Sequence, residues 1–458
     1  MTSPKTRHEI RDPIYGFIHV SGDERSVVDS RPVQRLRHVR QLAMSSLLYP
    51  AASHSRFEHS LGTMHLASGV FDAVTQVENV TDDIRIQLPM LLDAGHLAYW
   101  RQVARMAGLC HDLGHLPFSH AAEGDLLPEG WNHERISWEL IVSQEMRSLW
   151  SNMTPPLRAE DVAKLAVGKK HAPAGAEFSL WEEVLSEIIV GDAFGADRMD
   201  YLLRDSHHAG VEYGRFDYRR LTNSMRILPG SPRDDAEDEE PPPPALGVEE
   251  GGFESARQLL LARYFMFSQM YLHHVRRVYD LHLVEFLKET LDGGVFPVAL
   301  EEHLQSTDNE VMVRIAEAAR DPGAPAYVHA DAIYNRRHFK LLYDRTDEEA
   351  KRNPEVVSYV AEHAKKEFGP ERVLADEPED AKDPPDFPVL TRNQEVISSK
   401  RAVDVLKDIT VIRRGYVFVS RDVLEDGRTW LAANREDLTK EAVEEDAPGV
   451  GGEEGERR

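Results

Sequence analysis

Apolar residues return every three to four positions through much of this chain, and that period predicts a mainly helical protein. Val33, Leu36, Val39 and Leu42 predict a helix over 31–48, with Pro32 tolerated in its first turn. Phe57, Leu61, Met64 and Phe71 predict a second over 57–74, and Val103, Met106, Ala107 and Cys110 a third over 101–111. A long amphipathic stretch covers 259–288. Two regions depart from the helical period. Residues 8–20 read as two short strands about a Tyr15-Gly16 turn, a β-hairpin. Residues 395–408 read as a strand leading into a helix, and 410–422 alternate as a strand pair, so the C-terminal part is expected to be a small α+β domain. Three segments carry no period: an acidic, proline-rich stretch at 229–252, read as a disordered insertion; a linker at 376–388; and a charged tail at 441–458. The expected division is therefore a helical core over 1–290, a helical and α+β region over 291–440, and a disordered acidic tail over 441–458.

At 458 residues the chain can bury a large core. A single cysteine, Cys110, rules out an internal disulfide framework and fits a reducing, cytoplasmic setting. No apolar run is long enough to span a membrane, and the N-terminus lacks the apolar core of a signal peptide. The formal charge of −25 argues against a protein that coats nucleic acid, which needs a basic surface. It leaves room for a local basic pocket that takes a small polyphosphate.

The chemistry is concentrated around His111-Asp112. Adjacent histidine and aspartate side chains leave a metal site half built, so further ligands must come from elsewhere. His59 upstream and Asp197 downstream complete a set of two imidazoles and two carboxylates, suited to one divalent Fe, Mn, Ni, Zn or Mg ion. His115 stands four residues after His111, and His133 lies in a Trp-Asn-His-Glu context. Both are candidates for proton transfer, since imidazole titrates at about 6.5. Asp197, Tyr201, Asp205 and His208 are spaced four, four and three apart and form one polar stripe on a helix. Tyr201 and Asp205 then lie about 6 and 12 Å beyond Asp197 along the axis, the reach from a scissile phosphate to a sugar.

The ordered series RDPIYGFIHV, RPVQRLRHVRQL, RFEHSLG, CHDLGHLPFSH, NHE, DRMDYLLRDSHHAGV and YLHHVRRVYD resembles the HD-domain phosphohydrolases, in the branch of the SAM-and-HD-domain deoxynucleoside triphosphate triphosphohydrolases and their bacterial and archaeal relatives. It covers most of residues 8–285. The resemblance implies a helical HD-domain core and a metal-dependent hydrolase releasing deoxynucleoside and tripolyphosphate from a dNTP, with further Mg accompanying the nucleotide. It assigns His115 and His133 as catalytic histidines, with Glu123 where that family usually carries an aspartate. It gives Tyr201 and Asp205 the deoxyribose and its 3′-hydroxyl. Gln41, Arg56, Arg198 and His120 become sugar or phosphate contacts, and Tyr279 a residue near the base. Tyr271 stands where the family can carry a phosphate-binding arginine. Asp29, Gln34 and Arg37 match a regulatory site for a guanine-nucleotide activator, which implies a homo-oligomer, dimer or tetramer. Arg11 departs from that pattern. The alternatives are a phosphohydrolase of another nucleotide, monophosphate or cyclic, and a nucleotide-binding regulator.

Overall fold

The computed structural model describes residues 8–121, 123–231, 243–378, 385–402 and 412–440; the side chain of His120 and the tail at 441–458 lie outside the described residues. His8–Asp12 and Gly16–Val20 pair antiparallel. Their turn is set by Asp12, whose carboxylate accepts the Ile14 and Tyr15 backbone N–H groups at 2.8 and 2.9 Å, an Asx turn. The hairpin thereby delivers the Tyr15 hydroxyl into the interior, where it donates to Asp200 at 2.8 Å.

The helix Arg56–Thr75 is buried on nearly every side, with Phe57, Leu61, Met64, Val70 and Phe71 in the core beside small Ser60, Gly62, Thr63 and Ala67. A helix buried all round is a central one. Ala94–Cys110 crosses it closely. A Cβ on Gly108 would stand 3.1 Å from the Thr63 carbonyl and 3.2 Å from Met64 Cα, so glycine permits the crossing that brings His111 against this helix. Ala196–Ala209 lies on the other helix face that matters here, ending at Gly210 in the left-handed conformation at φ +72°.

Five expectations change. The helix over 31–48 stops early: Arg31–Arg35 is followed by a single 3₁₀ turn, Leu36–His38. Beyond it the backbone of Val39 and Gln41 pairs with Arg56 and His54, at 2.9 and 3.0 Å, so strand-like pairing displaces the helix that the apolar period favours. The stretch over 259–288 is two helices, Phe253–Met266 and His274–Thr290, parted by a π-turn at Phe267–Tyr271. A single π-turn is a local widening of the helix, and counting apolar residues along the chain does not register it. The acidic segment at 229–252 is ordered where it is described. Met225–Pro229 and Pro244–Glu249 pair antiparallel, and Leu246 and Val248 enter the core. Averaged acidity hides a strand whose alternate residues are apolar; residues 232–242 lie outside the described residues. The sheet continues with Pro388–Leu390, parallel to Pro244–Glu249, and Val396–Ser398.

The chain divides into two compact units, Met1–Arg337 with Asp380–Ile412, and His338–Glu379 with Arg413–Arg458. The boundary expected at 291 falls inside the first unit. Phe296, Val311, Ile315, Ala330 and Ile333 share one hydrophobic cluster with Phe286 and Leu287, so these helices cannot part from the core without exposing it. In the second unit, Tyr416–Val419 is the central strand between Lys340–Asp344 and Val373–Asp376. It is one strand where the alternation over 410–422 predicts two, and its partners come from far upstream.

Glu187, on the helix Leu180–Val190, accepts the Leu246 backbone N–H at 2.7 Å. Burial pushes its pKa up to about 7, against that hydrogen bond and with help from Asp192 and Glu183. A carboxyl whose folded pKa is raised contributes fully below its unfolded value, and the contribution is lost as pH rises through 7. Glu187→Gln keeps the acceptor and removes the charge. It is expected to raise stability at pH 8 by roughly 1–3 kcal/mol and to leave it unchanged at pH 4, read as the pH dependence of thermal melts against the parent. Equal melting shifts at both pH values would show that Glu187 ionises normally.

Candidate active site

Four side chains from three separate segments gather here: His59, His111 and Asp112 as one tight group, with Asp197 beside the two histidines. His59 sits one turn into the central helix, His111 caps the C-terminus of Ala94–Cys110, Asp112 follows in the turn, and Asp197 lies in the first turn of Ala196–Ala209. His59 Nε2 stands 3.2 Å from His111 Nε2, 2.9 Å from Asp197 and 3.6 Å from Asp112. His111 Nε2 is 3.2 Å from Asp112 and 3.4 Å from Asp197. Two donors about 2.1 Å from one ion and at right angles are about 3 Å apart, so these spacings are those of ligands sharing a cation.

The hydrogen bonding of the two imidazoles fits the same reading. His59 Nδ1 bonds Asp200 at 2.7 Å, and His111 Nδ1 bonds the Gly108 carbonyl at 2.9 Å. In its neutral form each imidazole then carries N–H on its outward nitrogen and turns its Nε2 lone pair toward the other ring. A cation between them resolves that opposition. Burial disfavours charge on His59, yet Asp197 and Asp200 push its pKa up to about 10. Burial likewise opposes ionisation of Asp112, but Arg56, His111 and His115 hold it well below the usual carboxylate range. The carboxylates draw positive charge to this point, a demand that a divalent ion meets.

Behind His59 lies a buried network that the sequence reading passed over. Arg204 donates to Asp200 at 2.8 and 2.9 Å and stands 3.0 Å from Asp12, and Tyr15 closes the circuit. A Cβ on Gly62 would come within 1.9 Å of the Asp200 carboxylate, so glycine here makes room for it. The available signal was Asp200 and Arg204 at i and i+4 on either side of Tyr201, Leu202 and Leu203, a spacing that pairs opposite charges.

After His111 the chain leaves the helix and runs as a tight loop. Ser137 holds it from below, donating to the His111 carbonyl at 2.8 Å and accepting the Gly114 N–H at 2.9 Å. His115 is buried, with Nε2 3.2 Å from Asp112, and its ring stacks on His133 at 4.0 Å and 16°. It is His133 that Glu123 holds: the carboxylate takes His133 Nδ1 at 2.6 Å and its backbone N–H at 2.7 Å. Burial lowers both imidazoles. For His133, Glu123 and Glu134 reverse the sign and raise its pKa, whereas Arg56 and His133 help to keep His115 well below the ordinary value. Two histidines in contact are thus pushed apart, one toward the charged form and one toward the neutral form. His115, Glu123 and His133 are close enough to suggest a second cation. Parallel stacked rings argue against it, because in-plane lone pairs of stacked imidazoles do not converge.

Arg56 reaches Asp112 and donates to Ser119 at 2.6 Å, so its guanidinium lies beside the His59–His111–Asp112 cluster. Asp205 is buried, with one oxygen 2.8 Å from His54 Nε2 and the other accepting the Tyr271 hydroxyl at 2.7 Å. His208 stacks on His54 at 4.3 Å. Tyr201 lies edge-on to Tyr271 at 6.3 Å, and Arg198 Nε is buried with no hydrogen-bond partner among the described residues. Gln41 is half-buried beside His54 in the chain pairing described above. Tyr279 is packed in the cluster of Leu283, Phe286 and Phe118. Further out, Gln34 accepts from Arg37 at 2.8 Å, Arg37 lies 3.6 Å over the Phe57 ring, and Asp29 pairs with Arg25. Arg11 stacks on Phe17. Cys110 is buried in the core, where burial pushes its thiol pKa up. Among the described residues no helix is long and apolar enough to cross a membrane.

Comparison with known proteins places these elements in context. A model of the HD domain matches residues 56–205, and one of the HD-associated region matches 216–406. The chain is 30% identical over 315 residues to an uncharacterized protein of Methanocaldococcus jannaschii, covering 67% of this chain and 57% of that one. It is 32% identical over 237 residues to the deoxynucleoside triphosphate triphosphohydrolase SAMHD1 of Mus musculus, covering 47% and 34%. The chain thus spans about half, or less, of these curated relatives. The crystal structure of a hypothetical protein from Aquifex aeolicus superimposes with a TM-score of 0.73 at 30% identity, over 93% of this chain and 100% of that one.

Proposed function

Since this chain belongs to the HD-domain family and carries its HD-associated region, we propose that it is a metal-dependent hydrolase of deoxynucleoside triphosphates, releasing deoxynucleoside and tripolyphosphate. The observation that carries the reading is the convergence of His59, His111, Asp112 and Asp197 with the His115–His133–Glu123 group beside them. A divalent cation held by the four ligands would supply Lewis acidity toward the α-phosphoryl group. His133, held toward its protonated form by Glu123, would give a proton to the departing 5′-oxygen. His115, neutral and with Nε2 3.2 Å from Asp112, would orient the water that attacks phosphorus as the 5′-oxygen departs. Arg56 and Arg198 would offset phosphate charge, and His120 and Gln41 would add phosphate and sugar contacts; Tyr279, packed against Leu283 and Phe286, is given the base side by the resemblance alone. Additional Mg would accompany the triphosphate.

Tyr201 and Asp205 set the sugar in this reading, the ring excluding a 2′-hydroxyl and the carboxylate taking the 3′-hydroxyl. Tyr201→Ala is expected to narrow the preference for dATP over ATP by about tenfold or more, because removing the ring opens the 2′ position. The test is a product screen with each nucleotide and Mn²⁺ or Mg²⁺, separating tripolyphosphate, pyrophosphate and orthophosphate. Orthophosphate from monophosphates alone would replace the triphosphate reading with a monophosphatase. That second reading has its own support, because Tyr271, bonded to Asp205, brings no positive charge to a phosphate chain. For regulation, Gln34 and Arg37 with Asp29 form the surface proposed to take a guanine nucleotide and to join protomers into a dimer or tetramer.

A further inference from the structure

The loop from His111 to Ser119 carries two metal ligands and one catalytic histidine, yet it holds an unfavourable backbone. Phe118 and Ser119 both lie in the left-handed region, at φ +58° and +57°. Non-glycine residues persist there only when surrounding contacts over-determine them. Ser137 secures the start of the loop, as described above. The rest is held from a different direction, by a corner between the helices Leu300–Gln305 and Asp308–Ala318.

Two buried charged side chains join that corner to the loop. Arg35 donates through Nε to the Ser306 carbonyl at 3.0 Å, through Nη1 to the Leu113 carbonyl at 3.4 Å, and through Nη2 to the His115 carbonyl at 3.0 Å. Its guanidinium is thereby engaged by backbone oxygens, one in the corner and two in the loop, those of Leu113 and of His115 itself. Asp308 works on the far end. One oxygen accepts the Phe118 N–H at 2.8 Å, and the other accepts the Arg40 N–H at 3.0 Å. Arg40 in turn offers its carbonyl to Ser119 Oγ at 3.0 Å, and that hydroxyl accepts from Arg56, the partner of Asp112. An unbroken path of hydrogen bonds therefore leads from Asp308 to a metal ligand. A buried charge used only for packing would be costly, since its desolvation is repaid only through such bonds.

We infer that Arg35 and Asp308 are positioning residues, through which the corner at 306–308 in the HD-associated region holds the catalytic loop of the HD domain in its working conformation. They touch neither substrate nor metal. The assignment of their effect to turnover rests on the proposed hydrolase reading, whereas their hold on the loop does not.

Asp308→Asn tests it, because the amide keeps the size and turns one acceptor into a donor facing a backbone N–H. Hydrogen–deuterium exchange is expected to quicken at residues 113–119 and to stay unchanged along Ala94–Cys110. In the metal-loaded protein kcat is expected to fall about 10–100-fold with KM within about threefold and metal content unaltered, since a displacement of about 1 Å costs that much. Combined with His115→Ala, it should add no further loss, the mark of two residues acting as a unit. Arg35→Gln examines the other anchor by the same readouts. Unchanged exchange at 113–119 in folded variants overturns the inference, as does a loss that adds in full to that of His115→Ala. If neither variant folds, the pair is structural and the inference falls. If the parent hydrolyses no nucleotide, the hydrolase reading falls, and exchange alone decides the hold on the loop.

Discussion

Asp112→Ala is expected to empty the metal centre and to lower phosphohydrolase turnover by about 10³-fold or more, because the cation supplies the largest charge at the reacting phosphoryl group. Asp112 stands beside four groups: His59, His111, His115 and Arg56. Removing it also leaves the buried Arg56 guanidinium without its counter-charge, a change that costs about 3–5 kcal/mol in comparable buried pairs. The variant should therefore melt earlier, and loss of activity alone would not separate the two effects. Asp112→Asn separates them. The amide keeps an oxygen for Arg56 while making a poor ligand, so it should recover much of the stability and little of the metal. Metal content by mass spectrometry, read beside thermal melts, gives both numbers. One equivalent of metal and full turnover in Asp112→Ala would remove this residue from the centre.

The second large effect belongs to the stacked histidines. His133→Ala and His115→Ala are each expected to lower kcat by about 10²–10⁴-fold while the metal stays bound, as removal of a positioned acid or base does. Glu123→Gln should cost less, about tenfold, because His133 remains but loses the carboxylate that raises its pKa. The order of the three separates proton transfer from mere packing. If Glu123→Gln cost as much as His133→Ala, the carboxylate itself would take part in the reaction. If neither histidine variant slowed turnover in a metal-loaded protein, the catalytic group would have to be sought elsewhere in the site. Burial of this ring pair makes its geometry sensitive to the loop that carries His115, which links these variants to the anchors Arg35 and Asp308.

Much of the centre was legible along the chain. His59, His111, Asp112 and Asp197 were nominated by residue type and order, and the three segments that carry them do meet. The 3.6-residue period found the central helix, and four-residue spacing put Asp197, Tyr201 and Asp205 on one helix, because these are properties of a single segment. Turn chemistry was equally local: Asp12 and Gly16 announce the hairpin that aims Tyr15. What tertiary structure decided was how each of these groups is held. That Glu123 grips His133, that His54 and Tyr271 divide Asp205, and that Arg35 and Asp308 brace the loop from residues 306–308 all join positions far apart in the chain. Backbone pairing at Val39–Gln41 overrode a sound helical pattern, and alternating Leu246 and Val248 made a strand inside an acidic segment that composition reads as disordered. Periodicity and spacing report what a segment can bury or pair within itself. Hydrogen bonds between segments, whose making depends on desolvating both partners at once, exist only after the core has brought those segments together.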